Sequence, residues 1–150
     1  MLKEISEREF LSLVGEPILY IGIYELNWIM DDNLLDCEGV IIAFKNRKIL
    51  ISSKTIGEEE FDFIYYDFSQ EYESRKIISS PQEPIRFVAK QEKHQRILRF
   101  QIGIRHIIVV AYYDKWIDVA LTHWDINDEF VDFENDNLLN DYTLNFERTI

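Results

Sequence analysis

Gly39-Val40-Ile41-Ile42-Ala43-Phe44-Lys45-Asn46-Arg47-Lys48-Ile49-Leu50-Ile51-Ser52-Ser53-Lys54 is the stretch that decides the fold. Two apolar, β-branched runs flank Asn46-Arg47, which is the pattern of a hairpin over Gly39–Lys45 and Lys48–Lys54. In a strand, successive side chains point to opposite faces. Val40, Ile42 and Phe44 therefore share one face, and Ile41 and Ala43 share the other. Both faces are apolar, which predicts a central strand covered on both sides.

Toward the C-terminus, Gly57 and three glutamates break the pattern, and Phe61–Phe68 resumes it. There Phe61, Phe63 and Tyr65 alternate with Asp62, Ile64 and Tyr66. Residues 69–84 contain Ser79-Ser80-Pro81-Gln82-Glu83-Pro84 and predict a loop. Ile85–Ala89 reads as a short strand. Arg96–Ile102 and His106–Tyr113 read as a second hairpin around Gly103, Ile104 and Arg105. Trp116–Trp124 and Glu129–Phe133 read as further strands. Asn135–Ile150 is polar with scattered apolar anchors. Val40–Ser52 with Phe61–Asp67 is weakly echoed by Leu98–Val110 with Trp116–His123, each a hairpin followed by an aromatic-led strand. No shared motif supports a duplication.

Toward the N-terminus, Ile18–Ile23 is strand-like and continues or bends through Tyr24–Met30. Residues 31–36 read as a polar loop. A short helix is expected over about 6–14: Ser6 caps it, Glu9 completes a capping box, and Ile5 and Phe10 form a hydrophobic staple. Gly15 and Pro17 then stop it. Hydrophobic residues are 47% and aromatic residues 14% of the 150, enough for a packed core. The expected fold is α+β and β-rich. It is a single domain built as a twisted antiparallel sheet, or a partly closed β-barrel-like meander, with a short N-terminal helix.

Composition narrows function by exclusion. The 28 acids against 16 bases give a formal net charge of −12. This argues against a protein that neutralises phosphates over its whole surface, and against docking on anionic lipid. The residues from Met1 to Glu9 have no apolar core of a secretory signal, and no apolar run approaches the length of a membrane span. A cytoplasmic location is the expectation. Cys37 is the single cysteine, so no internal disulfide and no cysteine-rich zinc site can form. Asp36 and Glu38 flank Cys37 and suppress its thiolate, so a structural thiol is expected rather than a nucleophile.

No catalytic constellation emerges, and neither cofactor nor metal is expected. His94, His106 and His123 are the only histidines. His123 stands next to Thr122 and two residues from Asp125, but strand neighbours point to opposite faces and do not converge. A calcium loop starting at Asp125 places Phe130 where glycine is needed and Asp136 where glutamate is needed. A frame from Asp132 fails as well, with Asn137 and Thr143 at those positions. The acids are too numerous for a glycosidase-type pair to stand out. The five glycines form no phosphate-binding loop.

Charge segregation does stand out. Thr55–Ser74 holds seven acids and no base, and Trp116–Glu147 holds nine acids and no base. Between them Arg75–His106 carries a net charge of +6, leaving −18 elsewhere. Asp128, Asp132, Glu134 and Asp136 share a parity. In an extended chain they would recur at multiples of about 6.6 Å, close to the spacing of alternate phosphates along a nucleic-acid strand. The leading expectation is a small acidic protein-binding module of the immunity or antitoxin type, covering a basic partner such as a nuclease toxin. Its contact residues would be Asp125, Asp128, Glu129, Asp132, Glu134 and Asp136, with Trp124, Phe130 and Tyr142 as aromatic anchors. A second expectation is a ligand-binding barrel or small enzyme with a pocket of Tyr112, Trp116, His123 and Trp124. A third is a subunit whose basic segment meets an acidic block of another copy.

Overall fold

The structure is a computed structural model and describes residues 2–13, 15–31, 34–78, 86–90, 97–102 and 105–123. Its organising element is strand β3. In chain order the elements are β1 (Leu2–Ile5), α1 (Glu7–Leu11), β2 (Ile18–Asp31), β3 (Leu34–Phe44), β4 (Lys48–Gly57) and β5 (Glu60–Phe68). β6 (Arg75–Ile78), β7 (Arg86–Lys90), β8 (Ile97–Ile102), β9 (Arg105–Tyr113) and β10 (Trp116–His123) follow. One edge of β3 pairs with β2, from Ile18 opposite Phe44 to Asp31 opposite Leu34. The other edge is divided: β4 pairs with Val40–Ala43, and β10 pairs with Leu34–Cys37.

Two antiparallel meanders, β2–β5 and β7–β10, thus meet on one strand. β1 extends the first beyond β5, and β6 pairs with β2. The expected β-rich α+β fold is the one found, and the sheet is open rather than closed into a barrel.

The ladder divides beside Gly39. A Cβ on Gly39 would lie 2.5 Å from Leu50 Cδ1 and 2.9 Å from the Ile51 carbonyl oxygen, so only glycine lets β3 and β4 approach this closely. Where the strands part, backbone groups must find other partners. The Glu38 carbonyl accepts a hydrogen bond from Ser52 Oγ at 2.6 Å. The Lys115 amide, in the turn between β9 and β10, donates to the Ser53 carbonyl at 2.8 Å. These bonds close the seam between the meanders.

The core lies between the two branches. Leu35, Cys37, Val40 and Ile42 of β3 meet Ile49 and Ile51 of β4, Phe63 and Tyr65 of β5, Val109 and Ala111 of β9, and Ile117 and Val119 of β10. Helix α1 adds Phe10, fully buried and stacked on Tyr65 with ring centroids 4.8 Å apart. The expected cap is present, with the Glu9 amide donating to Ser6 Oγ at 3.0 Å. On the opposite face Ile41, Leu50 and Phe68 are buried beneath Tyr20, Tyr24, Tyr66 and Tyr72. β3 is therefore covered on both sides, as its two apolar faces require.

One strand appears that was not expected, and three local expectations are corrected. Leu2–Ile5 forms a strand on β5, although only Ile5 of the four is buried. The helix ends at Leu11, capped by Ser12. The loop expected over 31–36 is largely strand: β3 begins at Leu34, because β2 and β10 give that polar stretch ladder partners on both edges. The loop expected over 69–84 contains β6, which pairs with Ile21–Ile23 of β2. Of the extension or bend expected through Tyr24–Met30, β2 shows the extension, to Asp31, with a local irregularity at Glu25, whose φ is +52° and whose amide donates to the Tyr72 hydroxyl at 2.9 Å. The strand expected over Glu129–Phe133 and the polar segment after it lie outside the described residues. Among the described residues no helix is long and apolar enough to cross a membrane.

Candidate functional site

At the N-terminal half of β3, alternation sends Leu35 and Cys37 into the core and turns Asp36 to the other face. Ile117 and Val119 of β10 also enter the core, which turns Asp118 outward. Asp36 and Asp118 are directly opposite each other in the β3–β10 ladder. Both are nonetheless buried, at 6% and 8% exposure. Like charges facing each other across a ladder are destabilising, so the pair needs support. Trp116 Nε1 donates to Asp36 Oδ2, and Asn27 Nδ2 donates to Asp36 Oδ1 at 3.3 Å. Both donors are neutral. They satisfy the carboxylate without cancelling its charge.

Aromatic surface surrounds this carboxylate. Trp28 lies opposite Asp36 in the β2–β3 ladder and is 66% exposed. Trp116 is 46% exposed and packs on Tyr113, which is 56% exposed and in turn meets Phe61 edge-on. Leu26 and Ile29 are exposed as well, but they lie opposite Cys37 and Leu35 in the ladder and so belong to the other face of the sheet from Trp28. Asp114 in the β9–β10 turn, Glu58, Glu59 and Glu60 at the β4–β5 turn, and Glu25 in β2 are exposed acids. Large exposed apolar side chains are the usual mark of a protein-binding surface.

Cys37 is fully buried beneath this face, and its Sγ donates to the Gly39 carbonyl at 3.3 Å. Burial pushes the thiol well above its ordinary pKa, and the charges of Asp36, Asp118 and Glu38 push in the same direction. It is a structural thiol, as its acidic neighbours in the sequence suggest. Among the described residues no group of three or more metal-ligating side chains converges.

The residues singled out in the sequence fare unequally. Asp125, Asp128, Glu129, Asp132, Glu134 and Asp136, with Trp124, Phe130 and Tyr142, lie outside the described residues, as does His94. Of the alternative pocket, Trp116 opens β10 and His123 closes it, seven positions and roughly 23 Å along the strand. Tyr112 is partly buried on β9, and Trp124 lies outside the described residues. His106 pairs with Thr122, opposite in register. Asp36, Asn27 and Trp28 were missed by sequence reading. Their only signal was Trp28 in the strand-like stretch just before the polar residues 31–36, and Asp36 joins Trp116 across 80 positions of sequence.

The chain matches no family model, no curated protein and no solved structure.

Proposed function

We propose that this protein is a binding module that captures a basic protein partner through its acidic, tryptophan-bearing face, as an immunity or antitoxin-type inhibitor does. One observation supports the reading most. Asp36 is buried between two exposed tryptophans and takes its hydrogen bonds from neutral donors, so among the described residues no cation pairs with it beneath this apolar anchor surface. A cationic side chain that reached this face would gain exposed aromatic rings in a negative field. The net charge of −12 would draw such a partner in by long-range attraction, and ring contacts would slow its release. The acidic run from Asp125 to Asp136 would add to the attraction.

Affinity capture from the native lysate at low salt, with wild type and a Trp28→Ser variant side by side, tests the reading. A single stoichiometric basic protein should be retained by wild type and released by rising salt. Trp28→Ser should bind it at least about tenfold more weakly while unfolding at the same temperature, since Trp28 is mostly exposed. Reversing Asp128, Asp132 and Glu134 to lysine should slow association and leave dissociation nearly unchanged. Equal capture by wild type and Trp28→Ser would remove this face from the function.

A further inference from the structure

The opposite end of β3 carries a different surface. A hollow of about 710 Å³ opens where the β3–β4 turn, the start of β2 and the ends of β1 and β5 meet. That volume lies within the range of small-molecule sites. Ala43, Phe44, Phe68, Leu19 and Tyr20 supply its apolar lining, and the first three of them are buried. Its cations are Lys3, Lys45, Arg47 and Lys48.

These cations are not equivalent. Arg47 is committed: it donates to Asp67 Oδ1 at 2.6 Å and to Glu9 Oε2 at 2.8 Å. Lys48 is steadied by the Gln70 carbonyl at 3.1 Å and by the Phe68 ring at 5.6 Å, neither of which neutralises it. Lys3 and Lys45 are exposed and form no ion pair among the described residues. The three lysines and Arg47 against Asp67 and Glu9 leave a charge of +2 beside an apolar lining. A molecule of net charge −12 has ample carboxylates with which to neutralise such a cluster, yet among the described residues the three lysines form no ion pair.

We infer that this hollow binds an organic phosphate, its dianionic head set among Lys3, Lys45 and Lys48 and its flat apolar body laid against Tyr20 and Leu19. The charge of +2 matches a phosphate dianion rather than a carboxylate. The apolar lining calls for a ring or acyl body rather than free phosphate. Lysine suits the head as a mobile point charge. The negative field of the whole molecule opposes long-range approach of any anion, so affinity rests on short-range contact.

Calorimetric titration with naphthyl phosphate, naphthol and inorganic phosphate tests the inference. Naphthyl phosphate should bind one to one, at least about tenfold more tightly than either fragment alone. The Lys3→Gln/Lys45→Gln variant should lose about tenfold or more in that affinity and keep its unfolding temperature, because both side chains are exposed and no like charge is placed opposite Asp67. Trp28→Ser should bind the probe as wild type does, which separates this site from the protein-binding face. Overturning results would be naphthol binding as tightly as naphthyl phosphate, or equal binding by wild type and the lysine variant.

Discussion

At the Leu34 end of β3 the Asp36 carboxylate takes its hydrogen bonds from an indole and an amide. At the Phe44 end, roughly 33 Å away along the strand, the Arg47 guanidinium takes its hydrogen bonds with two carboxylates. The first arrangement satisfies donors and acceptors but leaves the charge; the second cancels it. The same strand thus presents an acidic face with exposed tryptophans at one end and lysines over an apolar hollow at the other. Net charge alone would not have revealed this, because −12 describes the sum and not the division. Hydrogen-bond partners, rather than counts of charged residues, decide which charges a surface offers.

The join between the ends should be the most sensitive point. Gly39→Ala forces a methyl group against Leu50 and the Ile51 carbonyl, and overpacking of this kind costs about 1–3 kcal/mol. Urea unfolding would measure the loss. Hydrogen exchange at the Lys115 amide should accelerate by more than global unfolding explains, because the seam opens first.

A second test uses pH to probe the packed region between the ends. The Tyr65 phenol is raised above its ordinary value of 10.0, mainly by burial and further by Glu7. The folded pKa therefore exceeds the unfolded one. Its contribution is complete below about pH 10 and is lost as pH rises above that value, by up to about 1.4 kcal/mol per pH unit. Stability of Tyr65→Phe measured between pH 10 and 11 should decline by that much less than wild type. Equal slopes would mean that the phenol ionises freely in the folded state.

The last two variants should distinguish the two ways of holding charge. Trp116→Phe keeps a ring and removes only the N–H given to the buried Asp36 carboxylate, and should cost about 1.5 kcal/mol. Arg47→Met should cost less than about 1 kcal/mol, since its ion pairs are partly exposed. Salt separates them further. Added sodium chloride should shrink the Arg47→Met effect by screening and leave the Trp116→Phe effect nearly unchanged.

Much of the sheet was legible because alternation is a local signal. The hairpins Gly39–Lys54 and Arg96–Tyr113 and the double burial of β3 follow from which residues share a face. The helix cap at Ser6 was legible for the same reason. Strand β1 was not, because Leu2, Lys3 and Glu4 remain exposed and only pairing with β5 defines it. β6 was hidden by the serines and prolines that follow it. Asp36 looked like a loop residue because aspartate is disfavoured in strands, and its supporting donors come from β2 and from the start of β10. A site assembled from three strands leaves little trace in any one stretch of sequence.

The divided edge of β3 has a consequence for how the chain is made. Ile117 pairs with Cys37, 80 residues earlier. At a synthesis rate of about 5–20 residues per second, the Leu34–Cys37 segment waits roughly 4–16 seconds for the strand that pairs with it. During that interval the Leu34–Cys37 half-edge is an open template, and β10 of a neighbouring nascent chain fits it as well as its own. Dense polysomes should therefore favour strand-exchanged dimers, and slower initiation should favour monomers.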